Sequence, residues 1–264
     1  MKLDIPIAQE TLHVEITGSG APILLWHSLL CNHQMWCKQV PMLADHYQVI
    51  NLDMRGHGQS SLFDFSYDYW ELSRDVGRVL DHLDIEKVAM IGLSMGGIAA
   101  YHFALQQPER LTGMVAIAAA ADPDPLWVRW RDRILAEAAL RVGTQPLKPL
   151  ITPLMLGKTT LAQRPEVIAQ INQQFQTLRP RGIYQCVRAL GKQENLLPKL
   201  PQVEIPALVM VGEEDRAVSV ERVQAVAEVL PHAQLKVIPQ AGHLCVLEQP
   251  ELINPAILGF LQSL

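Results

Sequence analysis

Residues 88–97 read V-A-M-I-G-L-S-M-G-G, an apolar run that stops abruptly in Gly92-Leu93-Ser94-Met95-Gly96. The pattern predicts a buried strand over 88–93 that turns sharply into a helix starting near Gly96. Such a turn strains the serine backbone and lifts its hydroxyl out of the sheet. Glycines two positions before and two after the serine are then steric requirements, because a Cβ at either place would strike the crossing chain. Gly97, Ala99 and Ala100 let the helix lie close to the sheet. Five letters alone also fit a glycine-rich turn carrying an ordinary serine; the strand before them and the helix after them select the strained elbow.

Around this elbow, strand and helix patterns alternate, as in a mostly parallel sheet covered on both faces. A chain of 264 residues with 49% hydrophobic content suits one large α/β domain, or one such domain carrying an insertion. Residues 3–8 and 12–17 read as an opening hairpin, and further strands are expected over 23–26, 48–52, 112–118, 207–211 and 234–238. A helix over 34–44 should be interrupted or bent near Pro41. Over 69–83, Leu72, Val76, Val79, Leu80 and Leu83 recur at helical spacing, and helices also fit 220–229 and the stretch from about Pro250. Between Asp122 and about Pro198 the rhythm changes to prolines and helical stretches such as 127–142 and 165–176, with no convincing strand. The expected organisation is a core of residues 1–121 and 199–264 carrying a helical cap over 122–198.

A serine hydroxyl is a poor nucleophile at neutral pH and needs a base, and the base needs a group to orient it. His243, in Ala241-Gly242-His243, follows a predicted strand and is the best placed of nine histidines. Asp215 follows the preceding strand in Val211-Gly212-Glu213-Glu214-Asp215, which gives the chain order serine, acid, histidine. Glu213, Glu214, Asp122 and Asp124 stay open as alternative acids. Two backbone N–H groups should hold the oxyanion, one from Met95 after the serine and one from Leu29 in the loop after strand 23–26.

The net charge of −5 gives no electrostatic reason to expect nucleic acid as a partner. Cys31, Cys37, Cys186 and Cys245 are scattered without a C-x-x-C, so neither a disulfide framework nor a zinc site is expected. Reduced thiols, a first segment lacking an apolar signal region and a longest apolar run of only 114–121 point to a cytoplasmic protein off the membrane. Within 122–198, 11 Lys and Arg stand against 6 Asp and Glu, a net +5 that leaves the rest of the chain at −10. A positive lid over a negative core suits an anionic substrate. Arg129 and Arg133, one turn apart, and Trp130 in the stripe Trp127, Trp130, Ile134 are the candidate substrate-binding residues.

Two further motifs join the elbow: Asp53-Met54-Arg55-Gly56-His57-Gly58-Gln59-Ser60, and Gly242-His243 followed by Leu247-Glu248-Gln249-Pro250. With them the chain resembles the α/β-hydrolase superfamily over essentially its whole length. The resemblance implies a mostly parallel eight-stranded sheet with helices on both faces and a helical cap inserted after the sixth strand, with Asp53, Arg55 and His57 as turn and packing residues. The run 26–36, W-H-S-L-L-C-N-H-Q-M-W, is similar to 3-oxoadipate enol-lactonases, with Leu30 in place of their glycine. A serine at the elbow excludes relatives that attack with aspartate, and Leu244 argues against ring-cleavage C–C hydrolases. The implied function is a serine hydrolase that cleaves a small carboxylic ester or lactone through an acyl-enzyme, without metal or organic cofactor. Two alternatives stay open: a general carboxylesterase, including a methyl esterase acting on a carrier-bound acyl chain, and a slow-turnover ligand-binding receptor on the same fold. Nothing in the sequence sets the oligomeric state.

Overall fold

The computed structural model describes every residue except 8, 64 and 65, so the end of the first expected strand, Ala8, lies outside the described residues. Eight strands form one sheet: β1 (Lys2–Ile7), β2 (Glu10–Thr17), β3 (Pro22–Trp26), β4 (Gln48–Leu52), β5 (Val88–Leu93), β6 (Leu111–Ile117), β7 (Ala207–Gly212) and β8 (Ala233–Ile238). Their spatial order is β1-β2-β4-β3-β5-β6-β7-β8, antiparallel at β1/β2 and β2/β4 and parallel from there on. β5 and β7 are buried at every position, as parallel strands covered on both faces must be. Alternation assigns the two faces: Leu24 and Trp26 of β3 enter one apolar core, Ile23 and Leu25 the other. β8 closes one edge of the sheet with Gln234, Leu235, Lys236 and Val237 exposed in sequence, and β1 closes the other.

The helices are α1 (Val40–Ala44), α2 (Tyr69–His82), α3 (Met95–Gln106), α4 (Leu126–Val142), α5 (Lys148–Met155), α6 (Lys158–Gln163), α7 (Pro165–Gln174), α8 (Pro180–Leu190), α9 (Val220–Val229), α10 (Cys245–Glu248) and α11 (Pro250–Leu261). Asp68 caps α2 by accepting the Glu71 N–H at 2.9 Å, and Leu72, Val76, Val79 and Leu80 are its buried face. The helix expected over 34–44 is two pieces, a 3₁₀ turn (His33–Trp36) and α1. Pro41 stands in the first turn of α1, where its missing N–H costs no bond, so it starts the second piece and the helix is interrupted rather than bent.

Between β6 and β7 the described residues form helices and connecting turns with no strand. This stretch leaves and rejoins the sheet at one place: the Leu196 N–H donates to the Ala121 carbonyl at 2.8 Å, and Gln193 Nε2 donates to the carbonyls of Ala120 and Asp122 at 3.1 Å each. Leu147, Ile151, Met155 and Phe175 extend one of the two cores from the sheet into this helical layer.

Candidate active site

Ser94 stands between β5 and α3 with φ 56° and ψ −113°, a conformation that costs a non-glycine residue about 1–3 kcal/mol. Its N–H donates to the Ile117 carbonyl at 2.7 Å, which pins the turn to β6. The flanking glycines have no room for a side chain. A Cβ on Gly92 would lie 2.2 Å from the Gly96 carbonyl, and one on Gly96 would lie 2.3 Å from the Trp26 carbonyl oxygen. Chain crossing therefore dictates the two glycines of the G-x-S-x-G motif.

His243 and Asp215 meet across the loops that follow β8 and β7, with His243 Nδ1 2.9 Å from Asp215 Oδ2. Both side chains are buried, and Asp215 Oδ1 accepts the N–H groups of Ala217 and Val218 at 2.8 and 2.9 Å. Burial by itself pushes the His243 imidazole down; the negative charge and hydrogen bond of Asp215, helped by Glu248 and Asp124, outweigh it and hold His243 above the ordinary histidine value. The other carboxylates have different partners. Glu214 accepts from the N–H and hydroxyl of Thr159 at 2.8 and 2.7 Å, Glu213 lies beside the Gln240 N–H, and Asp122 and Asp124 are held by Arg222. Ser94 and His243 line one cavity; among the described residues no hydrogen bond joins them.

The Leu29 and Met95 N–H groups donate to no acceptor among the described residues. Two buried histidines set the loop that carries Leu29. Burial, with His57 close by, pushes His27 down to about 4, so it is neutral near pH 7. Its Nε2 accepts the Met54 N–H at 3.0 Å, which leaves the proton on Nδ1 to donate to the Ser28 carbonyl at 2.7 Å. That carbonyl belongs to the same peptide unit as the Leu29 N–H, so His27 aims the amide. His57 Nε2 lies 2.5 Å from the Leu29 carbonyl, and Asp53, fully buried, receives His33 Nδ1 at 2.8 Å. His27 carried no signal in the sequence beyond its place before Ser28.

The cavity measures about 130 Å³. Leu29, Leu30, Ile98, Leu135, Leu147, Ile151, Met155 and Phe175 supply an apolar wall, and two carboxylates and two guanidiniums (Asp124, Asp132, Arg131, Arg222) balance one another in the rest. Arg131 pairs with Asp132 at 2.8 Å, and Arg222 with Asp122 at 3.0 Å and Asp124. The structure does not bring Arg129, Trp130 and Arg133 to this cavity. They line a separate groove on the outer side of α4 and α8, where Arg129 donates to the Gly191 carbonyl and Arg133 pairs with Glu137. The stripe expected to meet substrate is out in solvent, with Trp127 66% and Trp130 63% exposed, because α4 turns Val128, Leu135, Ala136 and Ala139 to the cavity. Among the described residues no group of three or more His, Cys, Asp or Glu side chains is arranged to hold a metal ion, and no helix is long and apolar enough to cross a membrane.

Comparison with known proteins places this geometry. The family model for the alpha/beta hydrolase fold matches residues 21–250. The chain is 30% identical to 3-oxoadipate enol-lactonase 2 of Acinetobacter baylyi over 237 residues, which cover 89% of this chain and 87% of the relative. A thermophilic esterase of Thermogutta terrifontis superposes with a TM-score of 0.92 at 31% identity, covering 100% of this chain and 98% of that one. The enol-lactonase of Burkholderia xenovorans superposes with a TM-score of 0.90 at 26% identity, covering 97% and 98%. These relatives bear out both the fold and the likeness to enol-lactonases read from residues 26–36. An eight-stranded sheet with its serine elbow after the fifth strand, matched by the family model over most of its length, makes this chain a member of the α/β-hydrolase fold family.

Proposed function

We propose that this protein is a serine hydrolase of carboxylic esters or lactones, with Ser94 as nucleophile, His243 as general base and acid, and Asp215 as the group that orients the imidazole. The observation that carries the reading is the 2.9 Å contact of His243 Nδ1 with Asp215, made where His243 and the strained Ser94 open on one cavity. Asp215 accepts a hydrogen bond from Nδ1–H, which keeps the proton on Nδ1 and leaves Nε2 free to take the proton of Ser94 Oγ as that oxygen attacks the carbonyl carbon. The unpaired N–H groups of Leu29 and Met95 hold the resulting oxyanion. Collapse breaks the bond to the leaving oxygen, which receives the proton from His243; in a lactone that oxygen stays tethered to the acyl group. Water activated by His243 then hydrolyses the acyl-enzyme.

Residues 122–198 act as a cap over the core of 1–121 and 199–264, and the apolar wall they contribute suits an apolar acyl or ring portion. The anionic-substrate idea drawn from the net positive charge of this stretch loses its footing, since each guanidinium that lines the cavity has a carboxylate partner. Names of the relatives, two 3-oxoadipate enol-lactonases and a thermophilic esterase among them, support ester or lactone bonds as the target. Four free thiols, three of them buried, favour a reducing, cytoplasmic setting.

A fluorophosphonate probe tests the nucleophile: mass should appear on Ser94 alone, and labelling should vanish in Ser94→Ala. A parallel panel of lactones, neutral short-chain esters and carboxylate-bearing esters should give turnover favouring neutral apolar acyl groups. Covalent mass on another serine with Ser94 unmodified overturns the assignment.

A further inference from the structure

Glu248 is a carboxylate that the proposed reaction does not use, yet it is fully buried and faces the same imidazole as Asp215. Both of its oxygens receive backbone N–H groups, from two segments far apart in the chain. Oε1 accepts from Gly242 at 3.0 Å, and Oε2 accepts from Gly157 at 2.8 Å. Gly242 immediately precedes His243. Gly157 immediately precedes α6 and follows Leu154 and Met155, which line the cavity.

The two glycines are pressed together around this carboxylate: a Cβ on Gly242 would lie 2.2 Å from the Gly157 nitrogen. A second bond runs alongside, from the Leu244 N–H to the Met155 carbonyl at 3.1 Å. An apolar side chain at 248 would leave two buried amides without acceptors. The two N–H groups meet different oxygens, so a glutamine would turn its NH2 donor toward one of them, whereas a carboxylate accepts from both.

We propose that Glu248 is a positioning residue that bridges the His243 loop to the helical layer, so that the imidazole and the Leu154–Met155 wall of the cavity hold one fixed geometry. The inference rests on the reading of His243 as general base. Asp215 sets the rotation of the imidazole about its own bonds, whereas Glu248 sets where the whole loop stands relative to a bound acyl group.

The test uses full-length protein carrying Glu248→Gln or Glu248→Asp, a neutral p-nitrophenyl ester, and normalisation to active sites by fluorophosphonate titration. Glu248→Gln should lower kcat about 10- to 100-fold, the scale known for outer groups that orient metal-bound histidines, taken here by analogy, with KM changed far less. Asp215, Asp124 and Ser94, which also face His243, stay in place. Loss of the Glu248 charge should therefore move the rising limb of kcat/KM to lower pH in Glu248→Gln, because one negative neighbour of the imidazolium is gone. Glu248→Asp keeps the charge and shortens the reach, so it should lose kcat while leaving that limb in place. A melting temperature that falls with kcat per active site and the limb unchanged would reduce Glu248 to a packing role and overturn the proposal.

If neither variant folds, hydrogen exchange on the wild-type protein decides: the Gly157 and Gly242 amides should open with equal equilibrium constants, and a difference beyond about tenfold overturns the bridge. Wild-type protein that leaves Ser94 unlabelled counts against the hydrolase reading and not against the bridge, since the paired exchange of the two amides is read without any substrate.

Discussion

The C-terminal edge of the sheet and the helical layer between β6 and β7 meet across one cavity, and they are specified in different ways. At the sheet edge the backbone decides: Ser94 holds a positive φ, Gly92 and Gly96 sit where a Cβ would strike a carbonyl, and every residue of β5 is buried. In the helical layer side-chain volume decides. α4 presents Ala136 and Ala139, each 3% exposed, to the interior and sends its tryptophans outward. On the proposed hydrolase reading, the first region sets where a bond would be attacked and the second how much acyl group would lie beside it.

Substitutions should separate the two regions sharply. Ser94→Ala should give the largest loss, about 10⁶-fold in kcat by analogy with other serine nucleophiles, measured with an activated ester. Asp215→Asn comes next, at about 10⁴-fold in kcat with KM little changed, because the wrong imidazole tautomer is then favoured. Near-normal kcat there, with loss in Asp122→Asn or Asp124→Asn, would move the acid to the loop after β6.

A change of pH should act through the sheet edge alone. The reactive form carries neutral His243, and Asp215, Glu248 and Asp124 outweigh burial to hold that imidazole up, so kcat/KM should climb about tenfold per pH unit to a plateau reached above the reference value of about 6.5. A limb centred well below 6.5 would mean that the carboxylate fields do not reach His243.

Filling the cavity from the helical side should have a smaller and more selective effect. Ala139→Leu should raise KM for long acyl esters by about one to two powers of ten, on the overpacking scale of about 1–3 kcal/mol, and leave acetyl esters nearly untouched. Equal effects on both would place the acyl group elsewhere. Smallest of all should be Arg129→Ala, Arg133→Ala and Trp130→Ala, within about 0.5 kcal/mol for any substrate, because their groove is separate from the cavity. A selective loss on carboxylate-bearing esters in these variants would restore the anionic-substrate idea.

The same contrast explains what could be read from the letters. Strands 48–52 and 88–93 and helix 220–229 appear with the expected bounds, because a continuous apolar run or a one-sided stripe has a single reading once its neighbours alternate. Ser94, Asp215 and His243 stood out as the groups that follow β5, β7 and β8. Choosing Asp215 among five nearby carboxylates took distances, since Glu214 is one residue away and turns to Thr159. The face of α4 was misjudged for a physical reason. Bulky apolar residues normally mark the inner side of a helix, but α4 turns Val128, Leu135, Ala136 and Ala139 to the cavity and its larger tryptophans to solvent. α5 carries Pro149 and Pro153 and α6 is only six residues long, so neither offers a clean period. Glu248 sat within a recognised motif, yet nothing in Leu247-Glu248-Gln249-Pro250 indicates that both of its oxygens meet amides from distant parts of the chain.

The ends of the sheet bear on how the molecule behaves in a crowd of its own copies. β1 carries Pro6, which offers no N–H to an incoming strand, along with the charges of Lys2 and Asp4. β8 exposes Leu235 and Val237, about 40% accessible each, but sets Lys236 between them, and a strand adding there from another copy would have to strip water from that ammonium group. A sheet with two open margins offers unpaired backbone groups to a strand from another copy. Here a ring without an N–H stands at one margin and a lysine at the other, so each end of the sheet carries a feature that disfavours strand addition, away from the serine elbow at its middle.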